Sequence, residues 1–297
     1  MEETAIPPQV SVLIVSYGRP AVLRRCLAAL EQSVGRETFE IIVVDNGSFD
    51  DAATVIDEFP NVTPLRLPRN FGFTKALNIA MRTAKADLFL FLNPRTEVLP
   101  DTVQLLSATF AAEADAVAAC PLLADQSGAP APLLYRLPSP ARVLALACAG
   151  QFDAAPFPDA VSGPQSIEFA SFAALMVRAY FLKGLRYIDE HYAQSWADAE
   201  VAAQIRRAGK KTLLVPGAGA VWHAEDGLRQ MLPSAALAVL ASDWVMGASS
   251  FASKHFGFAA GLKVRTLATL RSLFSFRLRE FFNLLSGQRI DGTQTVL

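Results

Sequence analysis

Short apolar runs recur through the first hundred residues, and each ends in a group of polar or turn-forming residues. Runs of this length between turn-formers are typical of strands buried on both faces of a sheet. After the first run, Leu23, Leu27 and Leu30 stand at helical spacing. Strands that alternate with helices predict an α/β fold with a mostly parallel sheet. The runs lie at residues 10–16, 40–44, 62–67 and 88–92.

The last of these runs, Leu88–Leu92, leads directly into the polar segment Asn93–Glu97. Two earlier runs also end in polar residues, at Ser16 and at Asp45. Because the carboxyl ends of parallel strands meet at one edge of a sheet, we expect these polar ends to lie side by side. Open α/β sheets bind ligands at this edge, so the segment is predicted to form the floor of an active site.

The residues near these strand ends suit a nucleotide. Asp45 can accept hydrogen bonds from a base or ribose, and Arg19, Arg69 and Lys75 can hold phosphate charge beside helix starts. Thr74 is predicted to cap the helix that follows it. The alternative is a set of ordinary polar loops, which any α/β protein has. The sequence contains no Gly-x-Gly-x-x-Gly after the first strand and no Gly-Lys-Ser/Thr, which argues against dinucleotide dehydrogenases and P-loop enzymes.

A more specific signal comes from seven segments that follow one another in a fixed order. Together they resemble the inverting GT-A glycosyltransferases, especially the rhamnosyltransferase-like members. The resemblance spans about residues 10–257. It implies a GT-A fold, with a Rossmann-like, mostly parallel mixed sheet flanked by helices. The segments are Val12–Arg19, Ile42–Ser48, Arg69–Phe73, Phe91–Pro94, Gly184–Glu190, Trp196–Val201 and Val221–His223.

The resemblance implies that an acceptor hydroxyl attacks the anomeric carbon of a nucleoside-diphosphate sugar, and that the nucleotide leaves from the opposite face. Asp198 matches the family's catalytic base, and Glu200 is the alternative. A carboxylate is also ordinary in the first turn of a helix. The implied donor-binding residues are Ser16, Tyr17, Arg19, Asp45, Asn46, Asn70, Lys75, Asn93, Arg95 and His223.

Two positions depart from the family pattern. Arg95 stands where relatives carry an acidic ligand for a divalent magnesium or manganese ion, and an arginine cannot ligate a metal because it stays protonated. Ala197 replaces the glutamate that precedes the base. Any ion would have to be held farther away, by Glu97 and His223, and a lone histidine after a strand is often structural. We therefore assign no metal ligand and expect metal-independent binding of the donor.

Composition places the protein among ordinary globular chains. Of its 297 residues, 52% are hydrophobic and 19% are charged, which excludes bulk disorder. Cys26, Cys120 and Cys148 lie in apolar surroundings without metal-ligand spacing, as reduced thiols of cytosolic proteins do. The first residues lack the pattern of a secretory signal, so we expect a cytoplasmic location.

The chain is predicted to divide into a GT-A domain over residues 1–257 and a basic, amphipathic helical tail over residues 258–297. Residues 254–289 carry seven Lys and Arg and one Glu. An apolar stripe in the tail favours either contact with an anionic membrane or packing on the domain or a second subunit. The apolar segment 231–253 is not predicted to span a membrane, because of Pro233, Asp243 and its serines. The stripe consists of Leu267, Leu270, Phe274, Leu278, Phe281 and Leu285.

Two functions remain open. The first is a hexosyltransferase that moves rhamnose or another hexose onto a glycan or lipid-linked acceptor, in cell-envelope polysaccharide synthesis on the cytoplasmic face of the inner membrane. The second is a degenerate, non-catalytic protein that binds a nucleotide or a partner, which Arg95 and Ala197 make conceivable. Asp45, Asp198 and His223 favour the first. The Pro- and Ala-rich region 128–164 is predicted to form a loop on the acceptor side.

Overall fold

The computed structural model describes residues 7–48, 50–157, 163–224 and 233–287. The strands are β1 Val10–Ser16, β2 Phe39–Asp45, β3 Val62–Arg66, β4 Leu88–Leu92, β5 Thr96–Val98, β6 Ala116–Ala124, β7 Leu134–Tyr135, β8 Gln165–Ile167, β9 Phe169–Ala170, β10 Ala174–Arg178 and β11 Lys211–Trp222. The helices are α1 Pro20–Glu31, α2 Ala52–Asp57, α3 Phe73–Thr83, α4 Thr102–Ala112, α5 Val143–Ala149, α6 Ala179–Gly184, α7 Ala197–Arg207, α8 Ser234–Phe256, α9 Phe258–Phe274 and α10 Leu278–Ser286.

The main sheet is mixed, and its N-terminal half is parallel. Its order is β3-β2-β1-β4-β10-β6-β11-β5, with β8 also paired to β11. The first four strands in this order run parallel, as do β6 and β11. β10 lies antiparallel between β4 and β6. A small second sheet pairs β7 with β9. The predicted α/β, GT-A-like fold with C-terminal helices is confirmed.

The central strands β1, β2 and β4 are mostly apolar because both faces of the sheet are covered there. In β1, Leu13 packs into one cluster with Leu77 of α3. Its neighbours Val12 and Ile14 pack into a second cluster with Leu23 of α1. Successive side chains of a strand point to opposite faces, so a strand covered on both sides has no polar alternation. This explains why the strand runs read as continuous apolar segments.

Helix α8 is part of the core. The Trp196 ring, just before α7, lies 5.4 Å from the rings of both Trp244 and Phe251 of α8. A Cβ at Gly247 would lie 2.8 Å from the Trp196 ring, so the two elements meet closely there. Among the described residues, α8 is the one helix long and apolar enough to cross a membrane. However, 56% of its apolar window is buried inside the protein, as in a core helix.

The C-terminal stripe differs from the prediction. The chain forms two helices, α9 and α10, instead of one continuous stripe-bearing helix. Five of its six residues, Leu267, Leu270, Phe274, Leu278 and Leu285, are exposed and Phe281 is half-buried, so most of the stripe does not pack on the domain. The predicted domain boundary coincides with a break at Gly257 between α8 and α9. Residues 288–297 of the predicted tail lie outside the described residues, as do 158–162 of the region 128–164.

The prediction for Thr74 is wrong. Helix α3 begins after Gly72, and no side chain caps it. Thr74 is fully buried, and its hydroxyl donates to the carbonyl of Tyr192 instead. Its amide donates to the carbonyl of Ala193 at 3.0 Å. Thr74 therefore ties the start of α3 to the segment that leads into α7.

Candidate active site

The polar strand ends meet at one edge of the sheet. Ser16 and Asp45 are direct neighbours in the register of β1 and β2. Asn93 follows β4, which pairs with the other side of β1. Its side-chain oxygen accepts a hydrogen bond from the amide of Arg95 at 3.0 Å, within the turn that connects β4 to β5. The edge therefore presents three strand ends side by side, as expected from the sequence.

The loops that follow β1 and β2 lie above this edge and are joined by hydrogen bonds into one wall. The amide of Gly18 donates to the Ser48 hydroxyl, and the amide of Arg19 donates to Asp50 Oδ2, both at 2.8 Å. Asp45 accepts hydrogen bonds from the amide of Ser48 at 3.0 Å and from its hydroxyl. Arg19 holds a left-handed backbone with φ +64° at the start of α1. Strained backbone of this kind in a non-glycine residue is concentrated at functional sites.

Tyr17 lies in the same wall and is half-buried. Burial raises the pKa of its phenol, and the negative charge of Asp50 raises it further. The phenol is therefore neutral at physiological pH and can donate a hydrogen bond to a ligand.

Asn46 and Asn70 are buried and support the backbone. Asn46 Nδ2 donates to Asn70 Oδ1 at 3.0 Å and to the carbonyl of Gly72 at 3.2 Å. Asn46 Oδ1 accepts from the amide of Phe71 at 2.9 Å, and Asn70 Oδ1 accepts from the amide of Gly72 at 2.8 Å. These amides hold the turn before α3 in place. We expected both to bind the donor directly, and the structure instead gives them this positioning role.

Gly47 explains why a glycine follows these residues. Its φ is +77°, and an added Cβ would lie 2.4 Å from the backbone carbons of Arg69. No side chain fits in that space without moving the loop. The β2–α2 loop and the turn before α3 are thus packed backbone against backbone.

Two cations flank an aromatic ring at the start of α3. The Arg69 guanidinium carbon and the Lys75 ammonium lie 5.0 and 4.9 Å from the centre of the Phe71 ring. Both side chains are exposed. Cations held over a ring in this way keep a defined position beside the helix start, where phosphate charge is favoured.

Arg95 is oriented by an aromatic ring and faces another arginine. Its guanidinium carbon lies 4.4 Å from the centre of the Trp222 ring. Burial lowers the pKa of Arg95, and the positive charge of Arg19 lowers it further. Burial also lowers the pKa of Arg19. An arginine still keeps its proton, so the site concentrates two positive charges that an anion would stabilise.

His223 closes this side of the site, next to Trp222. Its amide donates to the carbonyl of Arg95 at 2.9 Å. The Gln126 amide nitrogen lies 2.6 Å from Nδ1, within hydrogen-bond distance. Nε2 lies 2.8 Å from Glu97 Oε1, which also contacts Arg25 Nε at 3.2 Å. Within the described residues neither His223 Nε2 nor Glu97 Oε1 makes a well-directed hydrogen bond.

These residues do not fit the divalent ion that the family resemblance implies. Arg95 occupies the acidic position, and Glu97 and His223 contact each other and Arg25. In the described part of the chain, no group of three or more His, Cys, Asp and Glu side chains could hold a metal ion. Two adjacent guanidinium groups would also repel a divalent cation.

Asp198 lies in the first turn of α7, which begins on the same side of the protein as α3. Its Oδ1 accepts a hydrogen bond from the amide of Ala199 at 2.8 Å. Desolvation raises the pKa of Asp198 to about 6, although this hydrogen bond opposes the shift. A carboxylate with such a pKa is ionised at neutral pH and still basic enough to accept a proton.

Tyr135, in the region 128–164, lies close enough to Asp198 for the carboxylate charge to act on its phenol. Burial raises the pKa of the Tyr135 phenol, and the charge of Asp198 adds to the shift. Its ring packs against Phe152 and Phe169, with centroids 5.4 and 5.2 Å away. The region 128–164 therefore reaches the neighbourhood of the carboxylate, but it contains β7 and α5 and is not simply the loop that the sequence predicts. Sequence reasoning missed Tyr135 because a lone tyrosine in a Pro-rich segment carries no motif.

Glu200, the alternative base, has a structural role. It is 3% exposed and bound by His255 Nε2 at 2.7 Å, Lys254 Nζ at 2.8 Å and Gln204 Nε2 at 2.7 Å. Burial would raise its pKa, but hydrogen bonds from these three partners outweigh burial and lower it to about 2. So weak a base is unsuited to proton abstraction, and Glu200 instead fastens α7 to α8.

Residues 11–157 match the family described as Glycosyl transferase family 2. An uncharacterized glycosyltransferase, YfnE of Bacillus subtilis, is 36% identical over 84 residues, which is 27% of this chain and 21% of that protein. The undecaprenyl-phosphate 4-deoxy-4-formamido-L-arabinose transferase of Proteus mirabilis is 30% identical over 110 residues, 34% of this chain and 33% of that protein. The chain thus spans a third or less of the length of these relatives.

Two solved structures share the fold. GalNAc-T7, in a crystal with UDP, GalNAc and Mn²⁺, superposes with a TM-score of 0.61 over 75% of this chain and 45% of that chain, at 17% identity. TarS of S. aureus, residues 1–349, superposes with a TM-score of 0.55 over 94% of this chain and 92% of that chain, at 15% identity. At these identities the likeness shows the fold alone.

Proposed function

Since the chain carries a glycosyl transferase family 2 domain, we propose that it is an inverting hexosyltransferase that uses a nucleoside-diphosphate sugar. The observation that carries this proposal is Asp198, a carboxylate with a pKa of about 6 at the edge where α3 and α7 begin. The strand ends and arginines of the same edge supply what a nucleotide diphosphate needs. The family match supports sugar transfer, and the rest of the proposal follows from this chain's residues.

The donor nucleotide would lie along the wall formed by the first two loops. Asp45 lies at the carboxyl end of β2, where it can accept hydrogen bonds from the base or ribose. Ser16 and Tyr17 line the same wall. The diphosphate would lie toward Arg19 and Arg95, whose guanidinium groups can form parallel hydrogen bonds with phosphate oxygens.

The transfer step uses Asp198 as general base. The acceptor oxygen forms a bond to the anomeric carbon while the bond from that carbon to the phosphate oxygen breaks. Asp198 takes the hydroxyl proton, and the electron pair leaves with the nucleoside diphosphate. Arg95 and Arg19 stabilise the negative charge that develops on the leaving group. Tyr135, close to Asp198, is placed to bind the acceptor.

Donor binding is proposed to be independent of a divalent metal. The GalNAc-T7 structure holds Mn²⁺, whereas here Arg95 takes the position of an acidic ligand. A guanidinium held over Trp222 brings positive charge to the diphosphate without an ion. His223 then positions the Arg95 segment through its backbone hydrogen bond and binds no metal.

The acceptor is proposed to be a glycan or a lipid-linked glycan of the cell envelope, and rhamnose is one candidate for the transferred hexose. The Proteus mirabilis relative is named for an undecaprenyl-phosphate substrate, which supports a lipid-linked acceptor. With such an acceptor, the reaction is proposed to take place in the cytoplasm, on the inner face of the membrane.

A second candidate is a non-catalytic protein that binds a nucleotide or a partner. Ala197 and Arg95 favour it, because both replace acidic residues of the family pattern. The test is a transfer assay in which a panel of nucleoside-diphosphate sugars is first ranked by thermal shift, since a ligand of the native state raises its stability. The best donor is then assayed for sugar transfer or slow hydrolysis with and without chelator. If wild type binds the donor but turns it over no faster than Asp198→Asn does, the protein is the non-catalytic one.

A further inference from the structure

The outward surface of α9 is apolar, the reverse of an ordinary surface helix. Its inward side carries small residues, Gly261, Val264, Ala268 and Ser272, which let it lie close to α8. A Cβ at Gly261 would in fact overlap the Ser253 hydroxyl of α8. The large apolar side chains are therefore left on the solvent side. They are Leu262, Leu267, Leu270, Leu273 and Phe274.

Helix α10 continues this surface. It runs back along α9, as shown by hydrogen bonds from Arg265 to the carbonyl of Leu284 at 2.8 Å and from Ser272 to Glu280 at 2.7 Å. Ala268 and Leu284 pack together with Val245 and Met246 of α8. Because both helices rest on α8, their opposite sides point outward together.

The exposed residues of α10 and of the connecting turn are also apolar. Phe276 in the turn is 87% exposed, and Phe274 just before it is 77% exposed. Leu278, Phe282 and Leu285 follow at the spacing of one helix face. We call these residues and the outward leucines of α9 the outer face. Single exposed apolar residues are common in soluble proteins, but a continuous group of this extent marks an interaction site.

The charged side chains carried by α9 and α10 themselves are mostly positive. Five cations lie in residues 258–287, against a single acid. That acid, Glu280, is buried, accepts the hydrogen bond from Ser272 and lies 3.6 Å from Arg277 Nη1. The charge exposed beside the apolar side chains is therefore positive. The cations are Lys263, Arg265, Arg271, Arg277 and Arg279.

We propose that the outer face docks on an anionic lipid bilayer. Apolar side chains flanked by cations match the acyl region and the phosphate headgroups of such a surface. A second copy of the chain fits less well, because a symmetric contact would bring the same cations together. The docking does not depend on which sugar or nucleotide the active site uses.

The test is co-sedimentation of the full chain with vesicles of phosphatidylcholine alone or mixed equally with phosphatidylglycerol. Wild type should bind the mixed vesicles and lose most binding in high salt. The triple variant Phe274→Ser, Phe276→Ser, Phe282→Ser should partition about a hundredfold less, since three aromatic rings no longer enter the bilayer. Lys263→Gln with Arg279→Gln should bind roughly tenfold or more weakly to the mixed vesicles and be less sensitive to salt.

Tyr180→Ser is the matched control, because Tyr180 is 59% exposed on α6, outside the outer face. It should sediment like wild type, and unchanged thermal unfolding of each variant would show that the fold is intact. Wild type that stays in the supernatant with mixed vesicles would overturn the proposal. The proposal would also be overturned if sedimentation velocity showed a wild-type dimer that the triple variant abolishes, while the triple variant still binds vesicles.

Discussion

The Arg95 guanidinium carbon lies 4.4 Å above the centre of the Trp222 ring, while the charge of Arg19 acts on it from the other side of the edge. The ring fixes the direction in which the guanidinium points, and burial strengthens its field. The two residues come from segments more than a hundred positions apart. They meet because β5 pairs with the end of β11.

This arrangement predicts how donor binding responds to metal. By calorimetric titration, wild type should bind the donor nucleotide equally well in chelator and in magnesium or manganese. Arg95→Asp should bind at least tenfold more weakly in chelator, because one charge-assisted contact to phosphate is lost, and should recover with metal. Arg95→Lys should bind with intermediate affinity, since lysine keeps the charge but not the paired hydrogen bonds. Wild-type binding that disappears in chelator would contradict the prediction.

The raised pKa of Asp198 predicts how turnover depends on pH. Because its pKa is raised to about 6, kcat/KM should fall about tenfold per pH unit below that value as the base becomes protonated. Asp198→Asn should lower turnover by two orders of magnitude or more while donor affinity stays unchanged. Near-normal transfer by this variant would show that another group is the base.

The same raised pKa makes a separate prediction about stability. The folded state binds the proton of Asp198 more tightly than the unfolded state, so ionisation destabilises the fold as pH rises from about 4 through 6. At pH 8 Asp198→Asn should therefore be more stable than wild type, by about 1–2 kcal/mol. The advantage should disappear near pH 4. Equal stability at both pH values in chemical denaturation would show that the carboxylate is well solvated.

The close packing at Gly47 predicts that one added methyl group would disturb the wall formed by the first two loops. Gly47→Ala would place a Cβ 2.4 Å from the Arg69 backbone at a φ of +77°. We expect a loss of roughly 3 kcal/mol in the free energy of unfolding and weaker nucleotide binding. Gly128→Ala is the control, because Gly128 has φ +87° but no atom within 4 Å of the added Cβ. It should cost only about 1 kcal/mol of backbone strain.

The sequence predicts those parts of the fold whose signal is local. Strand β1 was expected at residues 10–16 and is found there, because an apolar run with turn-formers after it has few alternatives. Asp198 was expected in the first turn of a helix and is found in α7. The placement of Ser16, Asp45 and Asn93 at one edge follows from the alternation of strands and helices alone.

Other features depend on contacts that sequence patterns do not record. The helical spacing of Leu270 and Phe274 agrees with the structure. Which side of the helix is buried depends instead on Gly261 and Ala268, whose small size permits close packing on α8. Asn46 looks like a ligand-binding residue after a strand, yet its amide is fully used by the turn before α3. In both cases the role of the residue is determined by its contact with a segment that is distant in the sequence.

The contacts of Glu200 with Lys254 and His255 hold α7, and with it Asp198, against α8. The pKa of Glu200 is lowered to about 2, so its ion pairs stabilise the fold fully above pH 4.5 and lose this effect as pH falls toward 2. Glu200→Gln should lower the free energy of unfolding at pH 7 by about 2 kcal/mol, a figure reduced because Lys254 is partly solvated. The difference from wild type in urea denaturation should shrink as pH falls below 4.5. Glu58→Gln, which breaks the exposed pair with Arg24, should change little at any pH, since exposed pairs add little. A Glu200→Gln protein as stable as wild type at pH 7 would mean that hydrogen bonds and aromatic packing hold α8 without this charge.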